Sequence, residues 1–303
     1  MTITRRLLFL SLGFLCVFGS AAASFFWKDK REEGITIGAK GGEGEILGEI
    51  IVQLIESHLP IKVHRKFHFD GTSIIFHALC TNQVDLYVEY TGTALSAILR
   101  EKSKGKSKGE ILDRLNTVFL KKYDLIWLDS LGFENAYALM MEPEVASQFK
   151  IATLSDLGKV MKDNPILKIG LDQEFFGRDE IKLLKENYGM DFSHVKLMDH
   201  LLLYLSLNRK GCDVINGYTT DGFCQDLLIL EDDQKVFPSY EAIPLVRREI
   251  LEKHPQLRGV LGKLKNMISQ KEMAQMNYAM EKKGASVYDV AHNFLKRHDL
   301  LAS

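Results

Sequence analysis

The segment Asp85-Leu86-Tyr87-Val88-Glu89-Tyr90-Thr91-Gly92-Thr93 runs a β-favouring alternation straight into a helix start, with an aromatic ring and two hydroxyls at the junction. Leu86 and Val88 face one side of the expected strand and Tyr87 and Glu89 the other, and Thr91 or Thr93 is positioned to cap a helix through Leu99. Such a junction belongs to α/β folds, which bind ligands just beyond the carboxyl ends of their strands. Tyr90 sits at that end. On this segment alone it is either a half-buried packing residue or one wall of a site.

The same unit recurs along the chain. Ile35 to Gly38 reads as a strand, and Ile46, Leu47, Ile50, Ile51, Leu54 and Ile55 recur at helical spacing up to His58. Pro60 ends that helix, and Ile61 to Phe67 alternates as a second strand, followed by a helix from Ser73 to Thr81 and a strand from Val84 to Val88. The Lys-, Ser- and Gly-rich stretch 101–109 reads as a solvated loop. A second series begins near residue 135: a strand over 136–140, a helix over 154–161, a strand over 168–171, a helix over 179–188 closed by Gly189, and strands over 213–218 and 227–230. Beyond Pro238 the pattern predicts helices almost continuously, over 244–253, 256–268, 271–282 and 286–297. This order implies two α/β lobes built on parallel strands, with a helical tail.

Arg5 and Arg6 precede the apolar run Leu7 to Phe18, and Ala21-Ala22-Ala23 offers a small-residue cleavage site, the layout of a secretory signal peptide covering residues 1–23. The apolar run is too short for the roughly twenty residues that span a bilayer. Lipid attachment at Cys16 or an uncleaved anchor is the alternative. Removing this segment takes away two arginines and no acids, leaving 37 basic against 40 acidic side chains and a formal charge of −3. With no basic field, nucleic acid is not an expected partner. Cys80, Cys212 and Cys224 remain, an odd number without metal-ligand spacing, so Cys212 and Cys224 are either bridged or separately buried.

Motifs that would carry catalysis or cofactor binding do not match. The glycine-rich run 38–44 lacks the Gly-Lys-Ser/Thr of a P-loop, its GxGxxG pattern breaks at Leu47, and no acid ends the second strand to hold a ribose. The nine histidines show no metal-ligand arrangement on a helix, and no Gly-x-Ser-x-Gly elbow occurs. Neither an enzyme, a cofactor nor a metal site is expected.

Tyrosine at strand ends does recur, at Tyr90, Tyr137, Tyr218 and Tyr240. Together with Ile35-Thr36-Ile37-Gly38-Ala39-Lys40, Ile46-Leu47-Gly48-Glu49-Ile50, the 85–93 segment, Tyr218-Thr219-Thr220-Asp221-Gly222 and Leu230-Glu231-Asp232-Asp233, this makes nearly all of the mature chain resemble the substrate-binding proteins of glycine betaine, carnitine and choline ABC importers. The resemblance implies a type II periplasmic-binding-protein fold: two α/β lobes joined by crossover hinge strands, with the ligand in the interlobe cleft. It places one discontinuous lobe at residues 34–135 plus 241–303 and the other at 136–240. It further implies a periplasmic monomer without catalytic activity that hands its ligand to an ABC permease in the inner membrane. In such proteins tyrosines cage a quaternary ammonium group, and the matching positions here are Tyr90, Tyr137, Tyr218 and Tyr240, with Lys40, Thr93 and Arg178 serving or lining the carboxylate end.

The chemistry of a cage is sound in itself. A trimethylammonium group has no N–H to donate, so ring faces must supply the attraction, at about 0.5–2 kcal/mol per well-placed ring. One departure stands out. Relatives resemble one another in a Lys-Asn-Phe-Thr-Glu-Gln run after the first strand, where this chain has Lys40-Gly41-Gly42-Glu43-Gly44-Glu45. Gly44 or Glu45 then replaces a polar contact, and the added acid favours a cation such as choline over a zwitterion. The remaining alternatives are a binding protein for another small polar or amino-acid-like solute, or an exported α/β enzyme using the same cleft.

Overall fold

The computed structural model describes residues 33–102, 106–163 and 167–302, and residues 34–303 form one compact unit. The expected signal peptide lies outside the described residues.

Two five-stranded sheets organise the chain. The first contains β1 (Ile35–Lys40), β2 (Val63–Phe69), β3 (Leu86–Tyr90), β4 (Leu125–Trp127) and β10 (Ala242–Arg247), in the order β2-β1-β3-β10-β4. The second contains β5 (Tyr137–Met141), β6 (Ile169–Leu171), β7 (Lys196–Leu197), β8 (Val214–Tyr218) and β9 (Leu228–Ile229), in the order β7-β6-β8-β5-β9. Each sheet has four mutually parallel strands and one antiparallel strand in the fourth place: β10 runs against β3 and β4, and β5 against β8 and β9. The strictly parallel expectation is corrected accordingly.

In the first sheet, α1 (Glu43–His58) follows β1 and α2 (Thr72–Cys80) follows β2. Eleven of the sixteen α1 residues are buried, because the helix is covered by the sheet on one side and by the C-terminal helices on the other. Glu43 and Glu45 in its first turn suit the positive end of the helix dipole. After β3 come a short α3 (Thr91–Thr93) and a π-helical turn over Ala94–Ile98. The threonines do not cap it. Thr91 Oγ1 instead donates to the Ser239 carbonyl and accepts from the Glu241 N–H, tying this turn to the returning chain.

The next helix, α4 (Lys108–Tyr123), starts at a Ser107–Glu110 capping box, inside the stretch expected to be loop. In the second sheet α5 (Pro143–Phe149), α6 (Leu154–Asp163), α7 (Gln173–Phe176), α8 (Asp179–Tyr188) and α9 (His200–Asn208) connect the strands. Gly189 closes α8 at φ 66°, the left-handed C-cap its sequence calls for.

The tail is α10 (Arg248–Lys253), α11 (Gln256–Gly262), α12 (Gln270–Glu281) and α13 (Val287–Arg297). The expected helix over 244–253 is therefore half wrong: residues 242–247 are a fully buried central strand. An apolar run buried on both faces has no alternation to distinguish it from helix. Asp85 fixes this strand at its far end. Its carboxylate accepts from Arg247 Nη1 at 2.8 Å and from the Thr36 N–H at 2.8 Å, so β1, β3 and β10 share one buried ion pair.

Cys80, Cys212 and Cys224 are free thiols, and the bridging alternative for Cys212 and Cys224 is ruled out. Among the described residues no helix is long and apolar enough to cross a membrane.

Candidate functional site

Antiparallel register builds the centre of the site. Tyr137, first residue of β5, lies opposite Tyr218, last residue of β8. Their ring centres are 4.7 Å apart, and the Tyr218 hydroxyl donates to that of Tyr137 at 2.9 Å. The Tyr137 hydroxyl in turn donates to Glu174 at 2.9 Å, and the Phe175 ring centre lies 5.0 Å from its own.

Arg178 joins this pair to the segment that leads into β10. Its guanidinium carbon sits 4.8 Å from the centre of the Tyr137 ring, and Nη2 donates to the Tyr240 hydroxyl at 2.9 Å. Glu180 takes two hydrogen bonds from the same group, at 3.1 and 3.2 Å. Arg178 is also the N-cap residue of α8, so its backbone position is set by that helix. Two residues past Tyr240, Ala242 pairs with Tyr90 in the register of β10 and β3, which brings the remaining tyrosine to the same place. Gly92 leaves no room there for more than hydrogen, since a Cβ would stand 2.7 Å from the Tyr240 ring.

Around Tyr90, Lys40 Nζ lies 5.1 Å from the ring centre, 2.7 Å from Glu89 Oε1 and 3.4 Å from Thr72 Oγ1. The Tyr90 hydroxyl donates to Glu43. Asn135 Nδ2 at 3.1 Å and Asn277 Nδ2 at 2.8 Å donate to the same carboxyl, and Asn277 also reaches the Thr220 carbonyl at 2.7 Å. Burial raises the pKa of Glu43, and the hydrogen bonds from Thr220, Tyr90, Asn277 and Asn135 only partly oppose that. Glu43 is thus the acid that meets the site. Gly44 and Glu45, the positions expected from the sequence, do not: Glu45 instead pairs with His68.

Six of the seven expected residues are linked by these contacts into two groups, Tyr137, Tyr218, Arg178 and Tyr240 on one side and Lys40 and Tyr90 on the other, joined through β10. Thr93 stays half-buried in α3 and is not tied to them by a described contact. Burial pushes the Tyr218 phenol up to about 12 and raises those of Tyr90, Tyr137 and Tyr240 as well, so the four rings remain neutral and present intact π faces. A cleft of about 1420 Å³ is lined among others by Tyr137, Arg178 and Tyr240, whereas Tyr90, Tyr218, Lys40 and Thr93 are not part of its lining.

One cluster escaped the sequence reading. His200, first residue of α9, bonds Asp221 at 3.0 Å and Asp172 at 3.4 Å, with its ring centre 5.3 Å from that of Tyr218. Burial alone would lower its pKa, but the two carboxylates outweigh that and raise it to about 9. Asp221 also accepts from the Tyr218 N–H at 2.7 Å and from the Tyr204 hydroxyl at 2.5 Å, so this cluster anchors the strand end that carries Tyr218. A lone histidine in a leucine-rich helix gave no signal of this. Among the described residues no group of three or more His, Cys, Asp or Glu side chains is arranged to hold a metal ion.

Residues 33–297 match the family described as the substrate binding domain of ABC-type glycine betaine transport systems. The chain is 33% identical to the carnitine transport binding protein OpuCC of Listeria monocytogenes, with 88% of each chain covered. It is 34% identical to the ergothioneine transport permease/ergothioneine binding protein EgtU of Helicobacter pylori, covering 91% of this chain and 50% of that longer one. The crystal structure of a glycine betaine/carnitine/choline ABC transporter superposes with a TM-score of 0.82 at 34% identity, over 88% of this chain and 99% of the other.

Proposed function

The chain belongs to the family of substrate-binding domains of ABC-type glycine betaine transport systems, and from that premise we propose that it captures a quaternary ammonium solute between its two sheets and delivers it to an inner-membrane ABC permease. The observation that carries this reading is the facing pair Tyr137 and Tyr218, with Tyr240 and Tyr90 brought alongside by β10. Four rings at about 0.5–2 kcal/mol each give roughly 2–8 kcal/mol of gross attraction. Ordering and desolvation reduce that, so micromolar affinity, about −8 kcal/mol, requires polar contacts as well. Lys40 and Arg178 are the cations placed to supply them, and Thr93 is kept as a rim residue of the pocket.

The charges in the site bear on which ligand fits. Lys40 is matched by buried Glu89 and Arg178 by buried Glu180, so both cations are already compensated. Glu43 adds a further carboxyl at the hydroxyl edge of Tyr90. An uncompensated cation such as choline gains from this arrangement, whereas a carboxylate must compete with Glu180 for Arg178.

The lobes in this reading are residues 34–135 with 241–303, and 136–240, closing about the strands that pass between them. The protein acts outside the cytoplasm as a monomer after removal of residues 1–23. Titration of the mature chain with choline, glycine betaine, carnitine and ergothioneine, followed by tyrosine and Trp127 fluorescence, tests the proposal. Saturable binding of at least one is expected; no response to any, with turnover of some substrate instead, would return the enzyme alternative.

A further inference from the structure

The hydroxyl edge of Tyr90 meets a cluster that has more acceptors than donors. Glu43, first residue of α1, accepts from the Tyr90 hydroxyl, from Asn135 Nδ2 at 3.1 Å and from Asn277 Nδ2 at 2.8 Å. Asn277, on α12, gives its other amide hydrogen to the Thr220 carbonyl at 2.7 Å. The amide oxygens are left over. Asn135 Oδ1 and Asn277 Oδ1 are both buried and have no hydrogen-bond partner among the described residues, and Asn277 as a whole is only 3% exposed.

Turning the amides over does not relieve this. A flipped Asn277 would set its oxygen against the Thr220 carbonyl, an acceptor whatever the protonation of Glu43, and a flipped Asn135 would bring its oxygen to the Glu43 carboxyl. The fold therefore orients both oxygens outward from Glu43 as acceptors in waiting. Buried acceptors left unpaired are destabilising, and two of them on one carboxyl call for a donor.

Their position says where that donor comes from. Glu43 is tied to the Tyr90 hydroxyl, Asn135 through its N–H to the Tyr240 carbonyl at 3.1 Å, and Asn277 through Thr220 to the turn that follows Tyr218. Three of the four rings thus border the cluster. A quaternary ammonium head has no hydrogen to offer it, and glycine betaine, which adds only a carboxylate, carries no donor at all. Its carboxylate would meet oxygen with oxygen. A solute with a hydroxyl or a ring N–H beyond its trimethylammonium head supplies what the cluster lacks.

We propose that Asn135 Oδ1 and Asn277 Oδ1, oriented by Glu43, form a donor-recognising subsite, and that the solute this protein selects carries a hydroxyl or N–H group in addition to its quaternary ammonium. This rests on the quaternary ammonium reading above and narrows it. Asn135 and Asn277 are the ligand contacts and Glu43 is the positioning residue. A site built to accept a hydrogen bond rejects the analogue without the donor strongly, because its own acceptor then stays buried and unpaired.

Calorimetric titration of the mature chain with two matched pairs tests this. Choline is compared with its O-methyl ether, which keeps the charge and loses only the O–H. Nα-Trimethylhistidine is compared with its derivative methylated on one ring nitrogen, at pH 8, where both rings are neutral and only the N–H is lost. In at least one pair the donor-bearing member should bind at least tenfold tighter, about 1.4 kcal/mol, and the pair that differs identifies the hydroxyl or the ring N–H as the group recognised. In Asn277→Leu or Asn135→Leu that difference should shrink below threefold, since leucine accepts nothing, whereas a merely structural loss weakens both members alike. Equal binding within both pairs by wild type, a comparison that needs no variant to fold, means that buried water alone serves the amide oxygens and overturns the subsite. So does a tenfold difference that survives in both leucine variants. If wild type binds none of the four compounds nor glycine betaine, the quaternary ammonium reading falls and the subsite with it, a result distinct from binding without discrimination.

Discussion

Tyr137 and Tyr218 face each other across an antiparallel strand pair, with hydroxyls 2.9 Å and ring centres 4.7 Å apart. Because the register sets this geometry, the pair is preorganised and little ordering cost remains for the ligand. Tyr218→Ala is expected to weaken choline or glycine betaine binding at least tenfold, about 1.4 kcal/mol, by titration calorimetry. Tyr218→Phe keeps the ring and should stay within threefold. Unchanged affinity in the alanine variant removes Tyr218 from the cage.

Arg178 is shared between Tyr240, Glu180 and the face of Tyr137. Arg178→Gln should weaken glycine betaine and carnitine at least tenfold while altering choline by less than threefold, since only the first two carry a carboxylate. Equal losses for all three would mean that Arg178 acts by holding the tyrosines.

Glu43 has a raised pKa, mainly from burial. A cation in the cage favours its ionised form, so choline affinity should fall as pH drops through that raised value, and Glu43→Gln should abolish the dependence. The sign for stability is the opposite. A carboxyl raised on folding favours the folded state below its unfolded pKa and loses that contribution as pH rises through the folded one. Glu43→Gln should therefore match or exceed wild-type melting temperature at pH 8, measured by calorimetry without ligand.

His200 is raised from 6.5 to about 9 by Asp172 and Asp221, against burial. Its contribution to stability is complete below pH 6.5 and disappears as pH passes through 9. The shift corresponds to roughly 3 kcal/mol at most, and partial exposure of the ring reduces this to about 2 kcal/mol. Denaturant unfolding of wild type should lose that amount across the window, and His200→Gln should show a flatter profile there. Parallel curves would place the pH dependence elsewhere.

Much of the architecture was legible because α2, α6 and α8 each bury one face and so carry a clear period, and α1 keeps its isoleucines and leucines at helical spacing although it is covered on both sides. Strand β10 was not, since Ile243, Leu245 and Val246 are buried whichever way they point and Pro244 resembles a helix start. Helix α9 was missed for the related reason that leucines surround it on every side. Tyr90 and Tyr218 could be found because they end recognisable strands and Tyr137 because it opens one, whereas Tyr240, two residues before β10, was found through the family resemblance. Glu43 could not be singled out from Gly44 and Glu45, because which of three neighbouring positions reaches Tyr90 depends on the turn at Gly42, whose φ of 70° no local pattern specifies.

Strand β10 also imposes an order on synthesis. The second sheet is drawn from one continuous stretch and is complete once Ile229 has left the ribosome, whereas the first keeps a gap between β3 and β4 until residues 242–247 arrive. The earliest strands made are thus among the last to be enclosed. Through that interval Leu86, Val88 and Trp127 wait without the strand that covers them, which makes this stretch of chain the one most in need of protection from aggregation before the fold is finished.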